Sequence, residues 1–295
     1  METKKPTVDY RPVRENEILE TVEVFFTSRD EMYARRGATP PSLDREATES
    51  CFHYISQTGI FYVTEVDGRI AAICHAVVRD HLWFLSGFWV LPALQRQKIG
   101  GQLLKRVWAV GERAGARTFF VWSSIDDTAI ATYLKMGMLP GYQILTFGGS
   151  VAGLPEKPAG YVAQPLSLGA ATKLDEEIRA TGRETDHRFW LFRAGYRGRQ
   201  VLREGQLVGY YYLDDGNIGP AAWTEPQCAG AVLSMACHEA AEQSESLRIL
   251  IPGINHEAIR FSLKAGLRLT GYAHFLTTAS FGHLDQYLAS GPLLF

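Results

Sequence analysis

The groups best suited to chemistry lie in residues 90–104, Val-Leu-Pro-Ala-Leu-Gln-Arg-Gln-Lys-Ile-Gly-Gly-Gln-Leu-Leu. A proline, a polar stretch and two glycines separate an apolar, aromatic run (83–90) from a segment of helical period. That order reads as strand, tight loop and helix N-terminus. The first amides of a helix have no intrahelical acceptor, and the helix dipole adds partial positive charge there. The backbone N–H groups of residues 96–101 are therefore suited to a diphosphate, with Arg96 and Lys98 adding charge-assisted contacts. The plainer alternative is a solvated basic turn before an ordinary helix.

The elements that must position this loop follow from periodicity. Residues 8–13 read as a strand, 15–34 and 44–57 as helices. Residues 60–65 and 70–78 read as strands joined by Val66-Asp-Gly-Arg69, and Asp-Gly between apolar runs is a strong hairpin signal. After the strand at 83–90 and the loop comes a helix at 99–114, with Ile99, Leu103, Leu104, Val107 and Trp108 as its apolar stripe. A strand at 118–122, a helix at 128–136 capped by Asp126 or Asp127, and one or two strands at 138–147 complete the first half.

Residues 148–158 are rich in Gly and Pro and read as a linker. Then the pattern begins again. Asp126-Asp-Thr-Ala-Ile-Ala-Thr-Tyr-Leu-Lys-Met-Gly137 aligns with Asn255-His-Glu-Ala-Ile-Arg-Phe-Ser-Leu-Lys-Ala-Gly266 at an offset of 129 (255 − 126). The preceding strands keep the same offset. An internal repeat of one α/β unit follows, with domains expected at 1–148 and 161–295 and a linker at 149–160.

The first half resembles the GNAT acyltransferase superfamily, which transfers an acyl group from acyl-coenzyme A, usually to an amine. The resemblance rests on Gln95-Arg96-Gln97-Lys98-Ile99-Gly100, similar to the family's Gln/Arg-x-x-Gly-x-Gly/Ala loop. It rests also on Val90-Leu-Pro92 before it, Leu103-Leu104 after it, and the segment Asp126…Ala129…Tyr133…Gly137. Lys98 stands where the family has its middle glycine, and Asp126 where it usually has Asn.

The resemblance implies two tandem GNAT-like domains, each a mixed, mostly antiparallel sheet flanked by helices. It implies a coenzyme site formed by Val90, Gln95, Arg96, Gln97, Lys98, Ile99, Gly100, Gly101, Asp126, Ala129 and Tyr133. Acetyl-coenzyme A is the co-substrate implied, with a primary amine of a small molecule or peptide attacking directly in a ternary complex. Tyr133 would protonate the leaving thiolate. Val90 would polarise the thioester carbonyl through its backbone N–H. Many family members place a carboxylate on the strand before the loop, but here Ser86 is the only polar side chain in residues 83–90. His75 is the candidate base, with Asp80 and His81 at the adjacent turn, Glu65 as a weaker choice, and a water relay as the alternative.

The second half departs from the pattern. Its matching region is Trp223-Thr-Glu-Pro-Gln-Cys-Ala-Gly230, where Glu225 would repel phosphate and Pro226 would remove a donor N–H. Ser262 takes the place of Tyr133. This copy is expected to be degenerate and not to bind coenzyme A. Tyr210, Tyr211 and Tyr212 read as a strand packed on both sides, or as a face toward an amine substrate. A non-catalytic acyl-coenzyme A sensor is the alternative for the whole chain.

Composition narrows the remaining classes. The 295 residues are 46% hydrophobic and carry a net charge of −2, which suits two globular domains and gives no basic field for nucleic acid. Residues 1–10 lack an apolar leader and no apolar run approaches a spanning length, so a cytoplasmic protein with no membrane partner is expected. Cys51, Cys74, Cys228 and Cys237 have no metal-ligand spacing, so no metal is expected. A monomer or homodimer is expected.

Overall fold

The computed structural model describes residues 6–150 and 153–295. Expectations touching residues 1–5, at the chain start, and Val151 and Ala152, inside the expected linker, lie outside the described residues. The chain divides into two compact units: residues 1–119 with 126–132, and residues 120–125 with 133–295.

In the first unit, β1 (Val8–Pro12), β2 (Ile60–Val66), β3 (Arg69–Arg79) and β4 (Leu82–Val90) pair antiparallel in chain order. β3 and β4 are buried over most of their length. Both faces must therefore be covered, and their apolar runs fit that. Helix α1 (Ile18–Ala34) lays Phe25 edge-on against Trp89 of β4 (centroids 5.2 Å apart) and against Phe52 (5.8 Å) of α2 (Arg45–Thr58). Helix α3 (Ile99–Arg113) buries Ile99, Leu103, Leu104 and Val107 of its predicted stripe, while Trp108 is only half-buried. Leu104 is fully buried, so truncating it to Ala should cost about 2–5 kcal/mol. Gly111 on the same helix lies against the Trp83 indole, where any side chain would collide.

The second unit contains β5 (Thr118–Ser123) from residue 120 onward, then β6 (Leu139–Gly149), β7 (Tyr161–Pro165), β8 (Arg197–Arg203), β9 (Gln206–Asp214), β10 (Asn217–Trp223), β11 (Leu247–Pro252), β12 (Arg268–Thr277) and the short β13 (Tyr287–Leu288). Its helices are α5 (Leu168–Arg179), α6 (Glu184–Phe192), α7 (Ala229–Ala241) and α8 (His256–Lys264). Helix α4 (Asp127–Lys135) crosses the division between units. α7 is apolar on most sides, and its Val232, Leu233, Ala236 and Cys237 sit in a core with Trp223, Ile249 and Phe261.

The repeat is present as read. β5 and β11, α4 and α8, and β6 and β12 each begin 129 residues apart. Two features differ from the sequence reading. Helix α6 was not foreseen. The compact units also do not follow a boundary at 148, because the last strand of each repeat is exchanged. β12 lies between β5 and β6, antiparallel to both, and β6 lies between β12 and β11. Neither β5 and β6 nor β11 and β12 are neighbours in the sheet. The expected linker is held down where described: Pro155 O accepts hydrogen bonds from Ser234 Oγ (3.1 Å) and His238 Nε2 (3.0 Å) on α7.

Candidate functional site

Strand β4 ends at Val90 and runs into a 3-10 turn, Pro92–Leu94. Residues 95–98 then intervene before α3 begins at Ile99. Two of them are left-handed: Arg96 (φ 63°) and Lys98 (φ 66°). Left-handed residues within a turn can bring backbone N–H groups to one side, as in anion-binding concavities. The left-handed Lys98 also explains the family's glycine there, since a Cβ is disfavoured in that conformation. Lys98 takes the conformation despite its side chain, at a cost of about 1–2 kcal/mol.

The loop is held from behind. The Gln95 side chain donates to Val90 O (3.1 Å) and that of Gln97 to Ala93 O (3.1 Å). Gln102 donates to Lys98 O (3.2 Å), so the amides of Ile99, Gly100 and Gly101 stand ahead of the helical ladder. Arg96, Gln97 and Lys98 are exposed, and Ile99 is buried as an anchor. The two glycines have different reasons. A Cβ on Gly100 would lie 2.9 Å from both Phe88 and Val90, so this glycine lets α3 approach β4. A Cβ on Gly101 would meet nothing within 4 Å, so its side of the helix is open. The set fits a diphosphate: amides ahead of a ladder, an open glycine and two exposed cations.

Leu91 N donates to Ala71 O (2.9 Å). Strand alternation therefore turns the N–H and C=O of Val90 away from β3. This is the orientation an amide needs to polarise a substrate carbonyl rather than extend the β3–β4 ladder. Asp126 caps α4 through Ala129 N (2.9 Å), and its other oxygen lies 4.0 Å from Arg35 at the end of α1. Arg35-Arg36 reads from the sequence as a basic helix end or as the border of an acceptor groove, and the contact of Arg35 with Asp126 is additional to both readings. Tyr133 lies buried in the second unit and its backbone oxygen receives the amides of Met136 and Met138.

His75 is corrected as a base. It is fully buried between Phe52 (4.7 Å) and Phe61 (4.6 Å), and neither ring nitrogen has a hydrogen-bond partner among the described residues. Its ring fills the space above Gly87, beside a bulge where β4 spends one extra residue, Ser86. Burial pushes its pKa down to about 3. So weak a base cannot hold a proton near neutral pH. Glu65 is engaged as well: Arg11 reaches it at 2.6 Å while also holding Glu17 at 2.7 Å.

In the second copy the counterpart of this loop is missing. Its 3-10 turn, Pro226–Cys228, passes directly into α7 at Ala229, and Cys228 is right-handed (φ −79°). Pro226 therefore matches Pro92 of the turn, not a residue of the phosphate loop, which corrects the sequence alignment. Four residues separate turn and helix in the first copy and none in the second. Asn255 caps α8 through Ala258 N (3.1 Å), as Asp126 caps α4, but its amide also donates to Tyr287 O (3.0 Å). Ser262 is fully buried.

The three tyrosines of β9 are buried with partners on both faces. Tyr210 donates to Asp175 (2.5 Å), Tyr212 contacts His187 (2.9 Å) and Tyr211 donates to Glu239 (2.8 Å). Asp175 is further bound by Arg183 and by His187 (3.0 Å). Burial opposes ionisation of Asp175, but Arg183 and His187 outweigh it and hold the carboxyl well below its usual range.

Residues 24–138 match the family model for the acetyltransferase (GNAT) family. The match spans 115 of the 295 residues (138 − 24 + 1). Solved structures carry the same fold across nearly the whole chain. A Pyrococcus horikoshii protein classed as an acetyltransferase is similar at 17% identity, covering 98% of this chain and 96% of its own, with a TM-score of 0.76. A tandem GNAT protein from the clavulanic acid biosynthesis pathway is similar at 14% identity (92% and 98% covered, TM-score 0.63). A GNAT protein from Sphaerobacter thermophilus is similar at 13% identity (92% and 95% covered, TM-score 0.63). Among curated proteins, none matches the sequence. The GNAT family carries acyl transfer as its general chemistry, and the loop at 95–101 lies inside the matched segment. Among the described residues no helix is long and apolar enough to cross a membrane, and no cluster of His, Cys, Asp or Glu is placed to hold a metal ion.

Proposed function

We propose that the chain moves an acetyl group from acetyl-coenzyme A to a primary amine on a small molecule or peptide, by direct attack in a ternary complex. The observation that carries this reading is the loop 95–98 with its two left-handed residues, followed by three helical amides ahead of the ladder. Val90, Gln95, Arg96, Gln97, Lys98, Ile99, Gly100 and Gly101 hold the donor's diphosphate and pantetheine, with Asp126 and Ala129 setting the start of α4. The Val90 N–H polarises the thioester carbonyl, a stabilisation that needs no side chain. Tyr133 returns a proton to the departing sulfur. His75 contributes packing.

The second copy serves as a scaffold that binds no coenzyme, since it lacks the four loop residues. The test combines calorimetry with acetyl-coenzyme A and thiol release across a panel of primary amines. Micromolar binding with amine-dependent thiol release is expected. Binding without release on any amine would replace this reading with an acyl-coenzyme A sensor.

A further inference from the structure

With His75 sealed, Glu65 engaged by Arg11 and no carboxylate on β4, the choices left from the sequence for deprotonating the acceptor are Asp80, His81 and a water relay. Glu31, on the last turn of α1, is the one Asp or Glu among the described residues with a buried carboxylate oxygen, Oε2, that lacks a hydrogen-bond partner. Its other oxygen receives Arg35 Nε at 2.8 Å. Leaving a carboxylate oxygen dry and unpaired is costly, and structures retain such groups where something else comes to meet them. Ser28 Oγ, one turn earlier on α1, is also buried and unpartnered.

Glu31 is joined to the proposed site by Arg35, and its helix packs on the strand that ends at Val90. α1 packs on β4 through Phe25 and Trp89, the residue before Val90. Arg35 links Glu31 to Asp126, the cap of α4, at 4.0 Å. The charged groups around the carboxylate are thus Arg35 and, through it, Asp126, with Arg29 and Asp30 paired to each other on α1 (2.7 Å).

We propose that Glu31 Oε2 binds the ammonium group of the acceptor and takes its proton. This rests on the acyl-transfer reading. The proton passes from nitrogen to Oε2, and the freed lone pair forms the N–C bond to the thioester carbonyl carbon. The C–S bond breaks with its electron pair on sulfur, and the second nitrogen proton is balanced by the proton that sulfur receives. Glu31 then releases its proton to solvent, leaving an amide and a free thiol. Arg35 positions the carboxylate through its 2.8 Å contact to the other oxygen.

The test measures thiol release and acetyl-coenzyme A affinity in wild type, Glu31→Gln and Arg35→Ala from pH 6 to 9. Glu31→Gln should lower kcat/KM for the amine about 100-fold at pH 7. The deficit should shrink as pH rises and free amine accumulates, with donor affinity kept within about twofold. Arg35→Ala, which keeps the carboxylate, should lose less than about tenfold. If Glu31→Gln matches wild type at every pH, or if both variants fall equally, Glu31 is only half of a helix ion pair and the assignment is overturned. If wild type binds the donor but releases thiol with no amine, the acyl-transfer reading itself falls and takes the assignment with it. If circular dichroism shows Glu31→Gln misfolded, Glu31→Asp decides. It keeps the charge but withdraws it by one methylene, and should lower turnover about tenfold at unchanged donor affinity; unchanged turnover overturns the proposal.

Discussion

The two copies reach the same 3-10 turn and leave it differently. The first inserts residues 95–98 before α3, two of them left-handed; the second passes from Pro226–Cys228 straight into α7. The difference is conformational before it is electrostatic. A right-handed path through the turn spends its amides on the helix and presents no concavity. Losing four residues therefore removes a site more completely than reversing its charge, while the strand, the turn and the helix survive because their packing does not depend on the loop.

The largest expected effect on binding comes from imposing the second copy's geometry on the first. Deleting residues 95–98, so that Leu94 joins Ile99, should weaken acetyl-coenzyme A binding by at least about 100-fold by calorimetry, about 2.7 kcal/mol. Helical signal in circular dichroism should remain. Retained affinity would mean that the binding determinants lie elsewhere.

The converse test addresses what the second copy keeps instead. Its buried Asp175 is held by Arg183, His187 and Tyr210. Arg183→Ala leaves that carboxylate uncompensated and should cost about 3–5 kcal/mol in denaturant unfolding. A loss below about 1 kcal/mol would show that the network is slack.

A third contrast lies in the buried histidines. His187 has partners on both ring nitrogens, whereas His75 has none among the described residues. The folded pKa of His75 is depressed to about 3, below its unfolded value near 6.5. The unfolded chain then binds a proton that the folded chain refuses. The contribution of neutral His75 is fully present above pH 6.5. It is lost as pH falls toward 3, at up to about 1.4 kcal/mol per pH unit. His75→Leu should flatten this slope between pH 6.5 and 3, and a slope identical to wild type would refute the assignment to His75.

The smallest effect compares matched glycines at the second position of α3 and α7. Gly100 is crowded by Phe88 and Val90, while a Cβ at Gly230 would meet nothing within 4 Å. Gly100→Ala should destabilise by about 1–2 kcal/mol and loosen the loop. Gly230→Ala should be neutral or stabilise by up to about 1 kcal/mol. Equal thermal shifts for the two would erase the distinction.

Much of this was readable from residue order. The offset of 129, the β-α-α-β-β-β opening and the strand, turn and helix at residues 90–104 all follow from local periodicity and loop chemistry. Helix α6 was hidden because it turns Asp186 and His187 inward alongside Phe189 and Trp190, so its buried face does not look apolar. His75 reads as a base because residues 83–90 offer no carboxylate and it lies on the neighbouring strand; the phenyl rings that seal it come from positions 52 and 61. Pro226 looked like a damaged phosphate loop because an alignment by residue type cannot see a deletion that the backbone accommodates. The exchange of β6 and β12 was invisible, since a repeat specifies which strands exist and not which neighbour each one takes.

That exchange has a consequence for how the chain is made. Thr146 of β6 pairs with Leu250, 104 residues later, and Leu139 with Thr277, 138 residues later. At a synthesis rate of about 5–20 residues per second, β6 leaves the ribosome on the order of ten seconds before its neighbours exist. Through that interval it presents two unpaired edges, the condition under which strands find the wrong partner. The growing chain therefore meets its greatest hazard midway through synthesis, when the first repeat is complete in sequence but its last strand has nothing to close against.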